Sequence, residues 1–513
     1  MSELRRVFLI ALAALSAAAA PGTVRASRGS ADPATLIALK SGAWCTKGAA
    51  LARADARLIA PELGLWRLPD GRGADVVPTL RASGAIEFVQ RELVYTVSAT
   101  ADFADPLVST EWWRAVVGVA DLTPPGPGVP VSLVDSGVSF GHPEFAGRPD
   151  LIALNAQEPA PLGGVHGTSV ASVIGAPANG LGLVGIYPQA VIRSYDAAIG
   201  AGTQLETSQI VSGILSAVRT GKSVINLSLG GNRRDAAVES AVNQAVRSGS
   251  LVVAASGNSG NVGNEPSYPA ATPHVLTVAA VDRSGQAAFF SSRSPHVDLA
   301  APGVDIPVAS ALDGAYATTS GTSFAAPIVS GAAAWLWTVR PELDAGQVAE
   351  ILRRSARDVA PAGVDQATGY GILNFPAALA YPTPQADPGE PNDDVRLNGS
   401  AASTLTTRSR PAASASASVT VFEDPRDVVR VWIPAGRTIV ARASSVALSL
   451  YAGSATTVVG RTAASARLAR STLRGAESVL SFPNGKPGRS GYLVVSLPKG
   501  GRDANYTLNV SAR

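Results

Sequence analysis

The feature that most constrains this chain is a set of apolar runs in its middle. "VPVSLVDSGV" (129–138), "AVIRSYDA" (190–197), "SVINLSLGG" (223–231), "LVVAASGN" (251–258) and "HVLTVAAVD" (274–282) are rich in Val, Ile, Leu and Ala. Between them lie "QIVSGILSAVRTG" (209–221) and "AAVESAVNQAVRSG" (236–249), which have helical spacing and stop near a glycine. Apolar strands without alternation, joined by helical crossovers, predict a mostly parallel sheet flanked by helices on both faces. The expected class is α/β.

The chain has 513 residues, more than one core usually spans, since cores stop growing near about 250–300 residues. The α/β body is expected over 104–381, ending near "YGILNFPAALAYP". Residues 382–392, "PTPQADPGEPN", form a Pro-rich linker. Beyond it, over 393–513, helical spacing stops. "VVRVWIPAG", "TIVARAS", "VALSLYAG", "SGYLVVSLP" and "NYTLNVSA" are short strands with glycine turns, the pattern of an all-β sandwich. Residues 27–103 form a small α+β segment. There "ALARADARLIA" (50–60) has helical spacing and "IEFVQRELVYTV" (86–97) is strand-like.

Residues 1–26 have the pattern of an export signal. Arg5 and Arg6 precede an apolar run from Val7 to Ala20, and Val24-Arg25-Ala26 is a cleavage site. The run is short for a membrane anchor, and "RRVFL" leaves a twin-arginine route open beside the general one. Cys45 is the only cysteine, so no internal disulfide is available. With 46% hydrophobic and 16% charged residues, a large core is available and wholesale disorder is excluded. The net charge is +3 and the basic residues are dispersed, so nucleic acid is not an expected partner.

Four positions can carry chemistry. Asp135 ends an apolar strand, where open α/β sheets place their sites; a turn acid or helix cap is the alternative. His166, one of four histidines, sits in "GGVHGTSVASVIGA", at a tight turn into a helix of small residues. Asn258 follows a strand in "AASGN", where its amide can donate to an oxyanion or serve an ordinary turn. Ser323 opens the apolar stretch "SGTSFAAPIVSGAAAW", either as an N-cap or as a nucleophile. Ala325 breaks the G-x-S-x-G elbow, which argues against α/β-hydrolase lipases. Pro327 is expected in the first helical turn, where a missing N–H costs little.

The order Asp, His, Asn, Ser, with "LVDSGVSFGHPEF", "HGTSVASVIGA", "INLSLGG", "AASGN", "FFSSRSPHVDLAAPGVDI", "SGTSFAAPIVSGAAA" and "GYGILNFPAAL", resembles the subtilisin-like serine peptidases over residues 104–381. Ser169 departs from the family pattern, which often has a second histidine there. The resemblance implies a subtilisin-like fold and peptide hydrolysis, with Ser323 as nucleophile, His166 as base, Asp135 as its orienting carboxylate and Asn258 in the oxyanion hole. It implies that Ser228, Leu229, Gly230 and Gly231, with Ala254, Ala255, Ser256 and Gly257, pair with an extended polypeptide substrate.

By the same resemblance, 27–103 is an inhibitory propeptide acting on its own chain, and the enzyme is a secreted monomer without a stable membrane anchor. The tail from "DPGEPND" resembles β-domains appended to secreted bacterial peptidases. The chemistry needs no cofactor. The loop "APANGLGLVG" (176–185) resembles a family calcium loop. Asn179 and the carbonyls of Leu181 and Leu183 would then be ligands, with Glu144 as the acidic one. The alternative is a metal-free Gly-rich turn. Glu265, in "GNEPSYPAA", is a candidate for selecting a basic residue before the scissile bond, or for facing solvent. Two other classes stay in view: a binding protein built on this scaffold, and a hydrolase of non-peptide esters.

Overall fold

A computed structural model describes residues 35–40, 43–60, 65–69, 72–91, 105–156, 164–199, 204–310, 314–359, 361–387, 389–395, 397, 404–421, 424–474, 476–501 and 503–513. The expected export signal lies outside the described residues, as does the stretch 92–104 that would end the propeptide. The chain divides into two compact units, Met1–Ala99 and Thr100–Arg513.

In the first unit, β1 (Thr35–Leu39), β2 (Arg57–Ala60), β3 (Leu65–Leu68) and β4 (Ile86–Arg91) form an antiparallel sheet in the order β2-β3-β1-β4. Helices α1 (Trp44–Arg53) and α2 (Gly73–Ala82) accompany it, and Ile37, Leu39, Leu51, Trp66, Leu68 and Leu80 make the core. The helical expectation for 50–60 is corrected here. Only its first part is helix; Ala54 caps α1, Asp55 turns at φ 62°, and "RLIA" is β2. The short apolar run Leu58-Ile59-Ala60 fits a strand as well as a helix face, and the turn decides.

The second unit begins with α3 (Trp113–Val117) and is built on a seven-stranded sheet. Its strands are β5 (Val131–Asp135), β6 (Leu151–Ala153), β7 (Ile192–Asp196), β10 (Val224–Leu227), β11 (Leu251–Ala255), β12 (Val275–Val281) and β13 (Leu299–Pro302). They lie parallel in the order β13-β12-β11-β10-β5-β7-β6. Two short strands, β8 (Ala198–Ile199) and β9 (Gln204–Leu205), pair beside it. Every residue of β5, β10, β11 and β12 is buried. Side chains alternate between two cores. Leu133, Val224, Val253 and Ala255 face the one that holds α4 (Gly164–Gly175) and α7 (Thr322–Val339). Val134, Ile225, Val252 and Ala254 face the one under α5 (Thr207–Arg219) and α6 (Ala236–Arg247). The expected α/β layering is what forms.

Helix α7 is long and apolar enough to cross a membrane by length and composition, yet it is 83% buried within the body. It is a core post. Its N-cap is Gly321, which gives no side-chain cap, so Ser323 is the second helical residue and not the cap. Pro327 is consequently the sixth residue, not in the first turn as expected. The hairpin β14 (Ile306–Ala309) with β15 (Tyr316–Thr319) precedes α7, and α8 (Ala345–Arg354) and α9 (Phe375–Ala380) follow.

The C-terminal part is an antiparallel β-sandwich. One sheet holds β16 (Ala413–Val419), β18 (Thr438–Ser444), β21 (Thr472–Arg474), β22 (Glu477–Pro483) and β24 (Ala504–Ala512). The other holds β17 (Arg426–Ile433), β19 (Ala447–Ala452), β20 (Arg467–Arg470) and β23 (Arg489–Ser496), with the one-turn helix α10 (Gly460–Ala464) between β19 and β20. Val419, Val431, Ile439, Leu448, Leu480, Leu493 and Leu508 fill the space between the sheets. The segment before it is packed: Gln385 Nε2 donates to the Ala417 carbonyl at 2.9 Å, and Asn392 is 4% exposed.

Candidate active site

Asp135 is the last residue of β5, where the sheet ends and the backbone turns at Gly137. Its Oδ1 accepts from the Ser136 N–H and lies 2.7 Å from His166 Nδ1. Its Oδ2 is buried without a hydrogen-bond partner among the described residues. The carboxylate is 2% exposed, whereas the imidazole is 40% exposed and borders the cleft. His166 occupies the first turn of α4. That turn is pinned to the Asp135 loop: Gly167 N–H donates to Ser136 Oγ at 3.2 Å, and Ser139 N–H to Thr168 Oγ1 at 2.8 Å. Burial disfavours the imidazolium, but the charge and hydrogen bond of Asp135 outweigh it, so the His166 pKa lies above its usual 6.5.

Ser323 stands at the head of α7, with Phe324 packed against the His166 ring at a centroid distance of 5.7 Å. Its hydroxyl donates to the Ser228 carbonyl at 3.2 Å. Asn258 is held through its oxygen: Oδ1 accepts from Thr322 N–H at 3.0 Å and from Thr322 Oγ1 at 2.9 Å. That engagement leaves the Nδ2 side of the amide to donate, next to Gly321 at the helix head. The positive end of α7 faces the same point. The four residues expected to carry chemistry are therefore gathered at the ends of β5, α4, β11 and α7.

A cleft of about 780 Å³ runs past Asp135 and His166 and is bordered by Ser228, Leu229, Gly230 and Gly231, with Ile210, Val238 and Phe324 as apolar walls. The second expected substrate segment is corrected. Ala254 and Ala255 are interior, paired with β10 and β12. Ser256 N–H donates to the Val278 carbonyl, Gly257 N–H to Thr322 Oγ1, and the Gly257 carbonyl accepts from Ser292 N–H. These N–H groups and the Gly257 carbonyl are committed to the body and do not pair with a peptide in this arrangement. Glu265 Oε2 accepts from Asn232 Nδ2 at 2.5 Å on the exposed surface, which ties down the carboxylate.

Sequence reasoning missed a buried chain behind the nucleophile. Ser330 Oγ donates to Asn226 Oδ1 at 2.9 Å, Asn226 Nδ2 to Ser228 Oγ at 3.0 Å, and Ser228 Oγ to the Ser323 carbonyl at 2.8 Å. Pro327 was the available signal. A helical carbonyl expects the N–H four residues on, and proline has none.

In the expected calcium loop, hydrogen bonds engage the side-chain oxygens. Glu144 Oε1 accepts from Leu183 N–H and Oε2 from Tyr316 Oη; Asn179 Oδ1 accepts from Leu181 N–H. Three loop N–H groups, of Asn179, Gly180 and Leu181, converge on Asp105 Oδ1. The buried guanidinium of Arg114 donates to the Val184 and Gly185 carbonyls. Burial pushes the Glu144 carboxyl up to about 7 and that of Glu111, which takes the Val184 N–H, up to about 8. Protein donors therefore engage both Glu144 carboxylate oxygens and Asn179 Oδ1, and Arg114 holds the neighbouring Val184 and Gly185 carbonyls; an ion bound here would have to displace the Leu183, Tyr316 and Leu181 donors.

The subtilase family profile matches residues 126–371. Subtilisin of Bacillus pumilus is 35% identical over 256 residues, covering 49% of this chain and 91% of that protein. Subtilisin E of Bacillus subtilis (strain 168) is 36% identical over 256 residues, 49% of this chain; the match spans 66% of that protein's length. Among solved structures, the prenylagaramide maturation protease PagA is 31% identical with a TM-score of 0.45, covering 49% of this chain and 93% of that one. The chain belongs to the subtilase family.

Proposed function

We propose that this protein is a secreted serine endopeptidase, made as a zymogen, that hydrolyses polypeptides through an acyl-enzyme. The observation that carries the reading is the 2.7 Å contact of His166 Nδ1 with Asp135 Oδ1, at the cleft where Ser323 heads α7. Asp135 fixes the tautomer that leaves Nε2 free as base. The Ser323 hydroxyl turns from the Ser228 carbonyl to His166, loses its proton and attacks the scissile carbonyl. Asn258 Nδ2 and the Ser323 N–H receive the oxyanion. His166 returns the proton to the leaving amine, and water repeats the sequence to release the acid.

Residues 228–230 offer main chain to an extended substrate, whereas Gly231, expected to join them, has both its N–H and its carbonyl paired with Tyr268. Main-chain pairing with substrate is tolerant of side chains, so preference rests on the Ile210 and Val238 walls. Residues 27–103 act as the removable inhibitor and 1–26 as the export signal. No cofactor enters the chemistry. The test compares wild type with Ser323→Ala for casein cleavage and fluorophosphonate labelling, with mass spectrometry of the secreted termini. Cleavage and labelling by wild type alone support the reading; a folded wild type that does neither overturns it.

A further inference from the structure

Where the peptidase body meets the β-sandwich, the segment "DPGEPNDD" (387–394) meets the start of β17. One carboxylate oxygen from each of Asp387, Glu390, Asp424 and Asp427 lies within 4.8 Å of all the others. Several oxygens have protein donors. Asp387 Oδ2 accepts from Ser418 N–H and Oγ at 2.6 and 2.8 Å. Asp427 Oδ1 accepts from Asn392 Nδ2 at 2.8 Å and Oδ2 from Tyr506 Oη at 2.6 Å. Glu390 accepts from the Asn392 N–H and side-chain amide.

Two oxygens stand apart. Asp387 Oδ1 and Asp424 Oδ1 are buried without any hydrogen-bond partner among the described residues, and Asp424 is only 8% exposed. No lysine or arginine among the described residues forms an ion pair with any of the four carboxylates. The nearest positive candidate is His274 of the peptidase body, whose Nε2 lies 2.7 Å from Asp393 Oδ2 and 3.4 Å from Glu390 Oε2.

Buried carboxylates without counter-charge are costly, and four in contact repel one another. Oxygens on opposite sides of a Ca²⁺ ion stand roughly 4.6–5.2 Å apart, so this cluster has the span of one coordination sphere. The donor set is all oxygen, which selects a hard cation; Mg²⁺ would demand shorter bonds and keep its waters. We propose that Asp387, Glu390, Asp424 and Asp427 bind a Ca²⁺ ion, which ties the 387–393 segment to β17 and, through His274, fastens the β-sandwich to the peptidase body. The site is separate from the Glu144 loop and independent of the proposed peptidase reaction.

The test uses the full chain carrying Ser323→Ala, so that self-digestion cannot intervene. Calcium is removed with EDTA and restored during calorimetric titration. Binding by this protein, retained with Glu144→Gln added and weakened by at least ~100-fold with Asp424→Asn added, supports the site. No binding at millimolar Ca²⁺, loss with Glu144→Gln, or full retention with Asp424→Asn overturns it. Should Asp424→Asn fail to fold, Tb³⁺ replaces the variant as probe. Tyr506 touches Asp427, so tyrosine-sensitised Tb³⁺ emission is expected, displaced by excess Ca²⁺ and reduced by Tyr506→Phe. Absent emission, or emission unchanged by Tyr506→Phe, overturns the site.

Discussion

Ser228 and Ser323 exchange hydrogen bonds: Ser228 Oγ donates to the Ser323 carbonyl at 2.8 Å, and Ser323 Oγ donates to the Ser228 carbonyl at 3.2 Å. The first bond occupies the acceptor that Pro327 leaves without its helical N–H. The missing rung of α7 is thus replaced from β10's end, and the nucleophile's backbone is fixed by a residue of the cleft wall. Ser228→Ala removes the hydroxyl and leaves that carbonyl unpaired. The expected result is a fall in kcat of about tenfold, matching about 1–1.5 kcal/mol, with a smaller change in KM. Steady-state kinetics on a peptide substrate, normalised by active-site titration, measures it.

Asn258 is positioned through its oxygen and, in the proposed mechanism, acts through its nitrogen. Replacing it by Ala is expected to lower kcat by about 10²–10³ with KM nearly unchanged, as for loss of one oxyanion donor. Thr322→Val keeps the shape but removes one of the two bonds that aim the amide, and should lose about tenfold. Equal rates for Thr322→Val and wild type would show that the Thr322 N–H alone suffices.

In the proposed mechanism His166 must be neutral to accept the Ser323 proton. Asp135 holds the His166 pKa above 6.5, against the opposing effect of burial. Activity is therefore expected to be full above that raised value and to fall as pH drops through it, so the acid limb of kcat/KM lies above pH 6.5. Asp135→Asn removes the charge and should move the limb down while lowering kcat by about 10⁴. A limb below 6.5 in wild type would contradict the electrostatic reading. The measurement is a pH profile of kcat/KM, with folding followed by circular dichroism.

The parallel sheet was legible because its strands are apolar on both sides, a pattern that only burial under two helical layers explains. The proposed site was suggested by residues that stand at strand and helix ends in an order resembling the subtilisin-like peptidases. What was not legible depends on register or on distance. Whether Pro327 falls in the first or second turn of α7 depends on which residue caps the helix, and Gly321, Thr322 and Ser323 are all acceptable caps. Asp55 turning left-handed splits one helical pattern into helix and strand. Asp387 and Asp427 are brought together by sandwich topology, and Arg114 reaches the carbonyls of Val184 and Gly185 across many intervening residues. No local pattern announces such meetings.

Gly167 follows the proposed base within the first turn of α4, and its neighbour is backbone rather than a yielding side chain. A Cβ placed there would stand 2.0 Å from the Gly137 carbonyl oxygen, just beyond Asp135. The contact lets α4 press against the loop that carries the carboxylate and shortens the gap that the His166–Asp135 bond spans. Gly167→Ala would gain helix propensity of about 1 kcal/mol, but the clash forces the two loops apart, at a cost of about 1–3 kcal/mol or more. The expected outcome is a lower melting temperature together with a large loss of kcat, because the displaced segment holds the base. The control is Gly180→Ala, at a position with open space around it and a positive φ of 82°, which strains the backbone but leaves His166 untouched. That variant should lose some stability and keep its kcat. If Gly167→Ala keeps both its melting temperature and its kcat, the close approach of α4 to the Asp135 loop is not what sets the distance between base and carboxylate.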